Sequence, residues 1–599
     1  MEPLKRTFLV PIVLLAAVAW ATAQAPIGSI EGTVIDPSGA VLPGAKVTIT
    51  ELGTGRVISL TTTSAGIYAA RALPPGRYKL HIAAENFRAF EIPEVVVEAG
   101  KVVDGSARLE VGTATQMVEV SASPVQVNTS TATVAGVITA TQIDQLPLDA
   151  RNFLDLAIVE PGVQIADGGN IDPTKSATYR TVQIQGRSGT GTRVQMDGID
   201  VTDETVGTTL ANISADAVQE FELSQSTLDL STSLTSSGAV SIITRSGTND
   251  FHGSGFWFYR NQDMGARLGF NPTSVPFHRT QVGYRVGGPI KKDRAFFFSN
   301  WERTYQQEQS SYTSDQNFPN IPFGSSHNCT TGCFAGVPLG IRMFDERIDW
   351  DAKSSVRTFF RFGQDWNVST GGSIPVSPFQ NKDQTNMLIA GLDATSSRLS
   401  HSFRFGSVYF HNQIVSQNFA GFAFPTVGGT AYNISVGDPS HGYNFGPNGL
   451  APQGTLQHNY QTKYDGSFVF GRHTLRYGLE VNRIILGGFA NFAGPLSVSG
   501  VFNAANQAAI AKRGDNPQDP LQYPLSDFSM GPANGFFTVE PCFGYAHGCH
   551  KNTRIAWYFG DTFRARRNLT LLLGTRWEYD TGYFNDETNV KRPAFLVVR

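Results

Sequence analysis

The residues of this chain that could do chemistry are few, and they concentrate in one short stretch. Cys542, His547, Cys549 and His550 bring together two thiols and two imidazoles, a donor set that suits zinc, but the order C-x4-H-x-C-H matches no established zinc spacing. The four cysteines fall into two local pairs, Cys329 with Cys333 and Cys542 with Cys549, and disulfides, a metal site and free thiols are all open to them. His81 and Glu85 stand four residues apart but straddle a strand end, which suits a surface histidine better than a pair of ligands. Gly186-Arg187-Ser188-Gly189-Thr190-Gly191 has the glycines of a phosphate loop without its Lys-Ser/Thr ending or a following helix, so a flexible turn is expected. H-x-x-E and H-E-x-x-H zinc motifs are missing, as is a convincing G-x-S-x-G elbow. The sequence therefore assigns no catalytic residue, no metal site and no cofactor.

The elements that carry these residues read as strands. In Asn568 to Asp580 (NLTLLLGTRWEYD), Leu569, Leu571, Leu573, Trp577 and Tyr579 share one face, and Thr570, Arg576, Glu578 and Asp580 the other. In a soluble sandwich the apolar face would be core; in an outer-membrane barrel it meets lipid while the polar face lines a lumen. The same alternation recurs from residue 248 onward, over a stretch too long for an ordinary sandwich. Charged residues make up only 16%, with 47 Lys+Arg against 50 Asp+Glu, so a net charge of −3 gives no electrostatic footprint for nucleic acid. The 61 glycines and 11% aromatics suit strands and turns. A mean hydropathy of −0.15 excludes a helical membrane protein but not a barrel, because half of each barrel strand is polar.

Lys5 and Arg6 precede an apolar run from Phe8 to Ala21 and the small-x-small sites Ala21-Thr22-Ala23 and Ala23-Gln24-Ala25. Residues 1–25 are thus expected to be a cleavable secretory signal, the run being too short to span a bilayer. Export to an oxidising compartment favours disulfides for the local cysteine pairs.

Residues 27–110 read as a small β-sandwich. Asp36-Pro37-Ser38-Gly39 and Leu73-Pro74-Pro75-Gly76 are turn clusters, and Lys46 to Thr50 and Tyr78 to Ile82 are alternating strands. The words I30-E-G-T-V-I-D-P-S-G-A-V-L-P-G-A-K-V-T-I, S64-A-G-I-Y and L73-P-P-G-R-Y resemble the carboxypeptidase regulatory-like domain. That resemblance implies a transthyretin-like, carbohydrate-binding-like fold, without implying peptidase activity or sugar binding.

Residues 111–133 form a Thr-, Ser- and Val-rich linker. Within it Met117, Val118, Glu119, Val120, Ser121 and Ala122 make a β-prone segment that could pair with a partner's sheet edge through main-chain hydrogen bonds, or serve as a last strand of the sandwich. By its position it resembles the TonB box of TonB-dependent outer-membrane receptors. Residues 134–247 resemble the α+β plug domain of those receptors: Ala140 to Leu156 begins as a helix with Thr141 as cap, and Arg151-Asn152-Phe153 opens a second short helix that Pro161-Gly162 ends. Val182 to Gly186, Arg193 to Met196, the turn Asp197-Gly198, Ala217 to Glu222 and Gly238 to Gly247 complete that likeness, with Gly186, Arg187, Asp197 and Gly198 as its motif residues.

Residues 248–599 resemble the opening part of the transmembrane antiparallel β-barrel of Oar-like TonB-dependent transporters, through Thr248 to Ser254, Phe256 to Arg260, Arg285 to Ile290 and Arg294 to Trp301. In the hairpin Lys463 to Val481, Leu475, Tyr477, Leu479 and Val481 should face lipid, and Arg476, Gly478, Glu480 and Asn482 the lumen. Thr304 to Arg342 and Val415 to His458 are expected as extracellular loops, and Phe470-Gly471-Arg472-His473 as a periplasmic turn. Roughly a dozen strands are readable where plugged transporters close at about 22, so the sequence, ending at Val597-Val598-Arg599, reads as the front part of a longer barrel. Overall the expected class is mainly β: signal, sandwich, plug and partial barrel. The resemblance implies a Gram-negative outer membrane, with the sandwich in the periplasm. It also implies outer-membrane lipid and a TonB-type energy-coupling protein as partners, and an extracellular ligand that could be an oligosaccharide, an iron chelate or a peptide. The alternative is an outer-membrane adhesion or surface-binding protein that does not transport.

Overall fold

The computed structural model describes residues 28–112, 117–119, 134–146, 148, 151–167, 178–226, 229–233, 235–266, 275–312, 333–373, 377–417, 426–427, 429–437, 442–490, 497–519, 522–529, 535–536, 540–543, 545–566 and 569–581. The expected signal peptide, most of the linker including Val120, Ser121 and Ala122, Cys329 and the terminal Val597 to Arg599 lie outside them.

The first body is a two-sheet sandwich. Strands β1 (Gly28–Ile35), β2 (Lys46–Glu51), β3 (Val57–Thr61), β4 (Ile67–Leu73), β5 (Gly76–Ala83), β6 (Ala89–Val97), β7 (Val102–Asp104) and β8 (Ala107–Arg108) divide into one sheet around β1 and another ordered β3-β2-β5-β6. Alternate residues Val47, Ile49, Leu80 and Ile82 turn inward with Ile30 to form its core, as period-two patterning demands. A ninth strand, β9 (Met117–Glu119), pairs in parallel with Ala89 to Glu91 at the open edge of β6.

The second body is built on a five-stranded sheet of β10 (Val134–Thr139), β13 (Thr192–Met196), β14 (Ile199–Asp200), β15 (Val218–Ser226) and β16 (Gly238–Thr244), with a hairpin of β11 (Val163–Asp167) and β12 (Arg180–Ile184) beside it. Helix α1 (Ala140–Gln145) follows β10. Its N-cap is Thr139, not Thr141: Gln142 reaches back from the first turn to accept from the Thr139 N–H at 2.9 Å, a capping-box contact available only to that register. A 3-10 turn, Phe153–Val159, is capped by Asn152, whose side chain accepts from the Leu154 N–H, and the chain then turns at Gly162 with φ 77°.

The third body is a curved wall. Strands β17 (His252–Asn261), β18 (Phe277–Lys291), β19 (Ala295–Tyr312), β20 (Cys333–Lys353), β21 (Val356–Ser373), β22 (Ser377–Thr395) and β23 (Leu399–Ser416) pair consecutively and antiparallel. Two small connecting strand pairs follow, β24 (Thr426–Val427) with β25 (Thr430–Ala431), and β26 (Asn433–Gly437) with β27 (Gly442–Phe445). The wall resumes with β28 (Gln453–Phe470) and β29 (His473–Ala490). Beyond the connecting strands β30 (Ser497–Val501), β31 (Leu525–Ser529), β32 (Gly535–Phe536) and β33 (Glu540–Cys542), it continues in β34 (Tyr545–Arg566) and β35 (Leu569–Asp580). The segments expected as loops between Thr304 and Arg342 and between Val415 and His458 are partly strand, because β19, β20 and β28 run on past the apolar belt. Ladder hydrogen bonds to a neighbour extend a strand whatever its side chains. Parts of the two connections after β23 and β29 fold together, β26 pairing with β30 over a core of Ile434, Val436, Val498 and Ile510.

The wall is inside-out relative to a soluble sheet. Trp257 and Leu573 are each 67% exposed on its outer face, while Glu302, Asp349 and Asn367 on its inner face are fully buried. Such an apolar outer belt is stable only against lipid, and no described helix is long and apolar enough to cross a membrane. The second body lies against the inner face of the wall, and for that position alone we call it the plug. The sandwich docks on the short turns: Arg56 Nε donates to Ser354 O at 3.1 Å, Thr63 Oγ1 to Gly471 O at 2.9 Å, and Asn249 N to Gly53 O at 2.9 Å.

Sandwich and plug also meet directly. Ala99 N–H donates to Glu220 Oε2 at 2.7 Å, Lys101 Nζ to Ala135 O at 2.9 Å, and a Cβ on Gly100 would collide with the Glu222 carboxylate. Burial, reinforced for Glu220 by Glu98 and Glu222 and for Glu222 by Asp229, raises these carboxyls to about 8 and about 7 against the pull of the Ala99 N–H, Ser224 and Lys101. Folded values above the unfolded ones mean that this contact is fully present at low pH and is lost as pH rises through 7 to 8. Cleavage of the full-length protein by protease within residues 113–133 should therefore increase between pH 6 and pH 9, and the double variant Glu220→Gln, Glu222→Gln should flatten the response.

Candidate functional site

The strongest side-chain chemistry in the molecule lies where the plug meets the wall. The Asp197-Gly198 turn has φ values of 47° and 87°, a conformation that Asp-Gly adopts at little cost, and it delivers the Asp197 carboxylate to the sandwich-facing end of the plug. Asp197 is buried and accepts from Thr244 N–H at 3.0 Å and Thr244 Oγ1 at 2.8 Å. Two wall arginines complete its shell, Arg347 at 3.3 Å and Arg361 at 3.5 Å. Arg347 also grips Asp349 with two hydrogen bonds of 2.9 Å, Arg357 donates to Asp349 at 3.3 Å, and Arg357 reaches Glu51 of the sandwich at 3.2 Å. Asp197, Arg347, Asp349, Arg357 and Glu51 thus form one unbroken line of alternating charge through all three bodies.

Further pairs ring the plug. Glu204 binds Arg193 at 2.6 Å and wall Arg554 at 2.9 Å; Asp229 takes two hydrogen bonds from Arg476 at 2.6 and 2.8 Å; Ser214 donates to Glu302 at 2.6 Å; Tyr179 donates to Asp365 at 2.9 Å. Although burial opposes ionisation of Asp229, the Arg476 guanidinium holds its carboxyl well below the usual range. Main-chain groups join in, Asp200 N–H donating to Gln461 at 2.7 Å and Glu204 N–H to Gln457 at 3.1 Å. These contacts bind one surface to another.

The expected motif residues separate. Gly186 and Arg187 lie at the opposite end of the plug from Asp197 and Gly198, since β13 runs between the two turns. Gln185 and Gly186 form a tight turn with φ of 52° and 73°, and Arg187 donates to Ser236 O at 3.1 Å. Met117 to Glu119 sit on the sandwich edge as β9. Cys549 is buried and disulfide-bonded, on the stretch of β34 where Glu540 pairs with Cys549 and Cys542 with Tyr545. Cys333 opens β20, opposite Tyr312. Among the described residues no cluster of His, Cys, Asp and Glu could hold a metal ion. Sequence reasoning missed Arg347, Asp349, Arg357 and Arg361, although Asp345, Arg347, Asp349 and Asp351 on alternate positions of one strand put four charges on the inner face, a signal for a buried ionic surface.

Truncating Arg347 should leave Asp197 and Asp349 buried with a lost partner, and breaking a buried pair in this way typically costs about 3–5 kcal/mol. Arg347→Ala should therefore make the plug protease-sensitive at lower denaturant than in the parent protein, while the wall keeps its folded electrophoretic mobility before boiling.

Comparison with known proteins agrees with this geometry. The family model of the outer membrane beta barrel domain matches residues 243–323 and 319–595, and that of the carboxypeptidase regulatory-like domain residues 29–110. The TonB-dependent transporter Oar of Myxococcus xanthus is 23% identical over 321 residues, covering 50% of this chain and 29% of that protein. The outer membrane transporter YddB from Escherichia coli superposes with a TM-score of 0.52 at 12% identity, over 75% of this chain and 56% of that one. A mutant of the ferric enterobactin receptor of Pseudomonas aeruginosa gives a TM-score of 0.45 at 12% identity, over 75% and 57%. The chain spans less than a third of the length of the curated relative and little more than half of these solved structures. With a wall of this build matched over more than half its residues, the chain belongs to the outer membrane beta barrel domain family and is an outer-membrane protein.

Proposed function

We propose that this chain is the receptor portion of a TonB-dependent transporter, which binds an extracellular ligand at the loop end and passes it to the periplasm by displacement of the plug. The observation that carries this reading is the plug itself: a folded body occupies the inner face of the wall, packed on apolar residues of β19, β21, β22 and β23 and positioned by ion pairs, so passage requires it to move. The sandwich, docked on the short turns, stands on the periplasmic side in this reading. Met117 to Ala122 is the segment offered to the energy-coupling partner. As Met117 to Glu119 is paired with β6 through main-chain hydrogen bonds, the segment would have to leave the sandwich edge to reach a partner's strand. Ligand binding, pulling and release involve no covalent step, so no residue is given a catalytic role. The disulfide of Cys549 closes, in this reading, with Cys542 on the neighbouring strand, and Cys329 closes with Cys333.

Proline at Val118 removes a ladder hydrogen bond and should disable strand pairing with a partner. Val118→Pro in the full-length protein should lower energised uptake of its ligand about tenfold or more while surface binding stays within about twofold, the pattern of a coupling defect rather than a binding defect. Unchanged uptake would remove the segment from the mechanism.

A further inference from the structure

The outward face of the wall meets hydrocarbon, so each charge on it needs a physical reason. In β20 the outward positions run from the turn end as Trp350, Ile348, Glu346, Phe344 and then Arg342. At about 3.3 Å per residue and a tilt of about 40°, Arg342 stands roughly 25 Å from the turn, which is the height of a lipid-facing apolar band. It therefore lies at the edge of the belt that is farther from the sandwich. Arg303 of β19 is its direct cross-strand partner, and both side chains are exposed.

The protein leaves this pair of cations unneutralised. Among the described residues Arg303 has no hydrogen bond, ion pair or ring contact. The Arg342 guanidinium lies 4.9 Å from the centre of the Trp366 ring, which attracts the charge but offers no oxygen to its N–H donors. Away from the short turns, the carboxylate on the outward positions of β18 to β23, among the described residues, is Glu346. It stands two outward positions nearer the turn and accepts from Ser299 Oγ at 2.5 Å. Like charges directly opposite one another destabilise a sheet, and an anion between them turns repulsion into charge-assisted hydrogen bonding.

The surroundings differ on the two sides of the pair. Toward the belt Trp301 is opposite Phe344 and stacks on Tyr284 with centroids 6.4 Å apart. Toward the loops the next outward pair is Tyr305 opposite Gly340. A Cβ on Gly340 would meet nothing nearer than the Trp366 ring at 4.0 Å, so open space adjoins both guanidiniums. Lys382, on the same row as Gly340 and two strands farther on, adds a third positive charge.

We infer that Arg303 and Arg342 form a binding site for the phosphate of an anionic membrane lipid. The phosphate lies between the two guanidiniums, the rest of the headgroup over Gly340, and the acyl chains along Trp301, Phe344 and Ile348. A soluble phosphate would meet the same guanidiniums without the belt, and a zwitterionic lipid would meet the belt while carrying its own cation. The site rests on the outer-membrane location of the wall alone and takes no part in passage through it.

The test is titration of dioleoyl phosphatidic acid into the full-length protein in dodecyl maltoside, with bound lipid counted by native mass spectrometry and folding checked by mobility before boiling. Phosphatidic acid should bind about tenfold or more tightly than dioleoyl phosphatidylcholine, and inorganic phosphate should displace it only at about a hundredfold higher concentration. Arg303→Gln and Arg342→Gln should each weaken it about tenfold, and Gly340→Leu should do the same with both charges in place, because it fills the headgroup space. Arg483→Gln, an outward arginine that already donates to Thr553 at 2.6 Å, should leave binding unchanged. Equal binding of the two lipids, or equal loss in Arg483→Gln, would reduce the pair to general attraction at the belt edge and overturn the site. Displacement by inorganic phosphate at equal concentration would make it a soluble-anion site and overturn the lipid assignment.

Discussion

Everything in this molecule follows from a wall whose polar face is turned inward. An outer-membrane sheet must show its apolar residues to lipid, so Trp257, Trp350 and Leu573 point out and the alternate positions carry Glu302, Asp349, Arg357 and Asp365. Those groups are buried all the same, because a folded plug lies against them. A buried charge needs a partner; some pair within the wall, as Asp349 does with Arg347 and Arg357, and for several arginines the plug supplies one: Asp197 for Arg347 and Arg361, Glu204 for Arg554, Asp229 for Arg476. Wall and plug are each other's solvent.

The sandwich is tied into the same scheme. Its Glu51 ends the line of charges that starts at Asp197, and its Glu31 pairs with Arg564 of β34 at 3.0 Å and with Arg71 beside it. Because it touches both the turns of the wall and, through Ala99 and Lys101, the plug, any displacement of the plug toward the turn end would be met by this domain. That placement makes the edge of β6, where Met117 to Glu119 add a strand, a point at which chain tension would act on sandwich and plug together.

Much of this architecture is legible in the sequence, for reasons that differ by element. Alternation marks β35 and the hairpin of β28 and β29 because the lipid face is apolar at every second residue. The Asp197-Gly198 turn is legible because few dipeptides tolerate two positive φ values. The cap of α1 was equally available, as Thr139 followed three residues later by Gln142, but Thr141 two residues on is just as good a cap by type alone. Strand ends outside the lipid belt were not legible: in Tyr305 to Tyr312 the sequence is nearly all polar, and only the neighbouring strand makes it β. Least legible of all was the ionic site. Arg347 and Asp349 show their shared face in the sequence, but Glu51 and Asp197 are remote in the chain, and only the folded arrangement brings them to Arg357 and Arg347.

The kind of contact differs around the circumference of the plug, and this decides where it can part from the wall. The plug core continues into apolar wall residues on β19, β21, β22 and β23: Phe298, Phe359, Met387, Ile389, Val408 and Phe410. Separating these exposes hydrocarbon, at roughly 25 cal/mol for each Å² returned to water. On β17, β18, β29, β34 and β35 no described residue joins that core; there the plug is held mainly by polar contacts, Asp144 with Arg285, Asp229 with Arg476, Glu204 with Arg554 and Ser233 with Glu480, with Leu230 lying against Gly560 and Gly574. Buried ion pairs fix position strongly but contribute little net stability, because water entering the gap repays most of the lost attraction by hydrating both charges. The plug is therefore fastened on one side and only registered on the other. In the transporter reading, a movement that admits water along the polar side, with the apolar contacts acting as the hinge, exposes the least hydrocarbon.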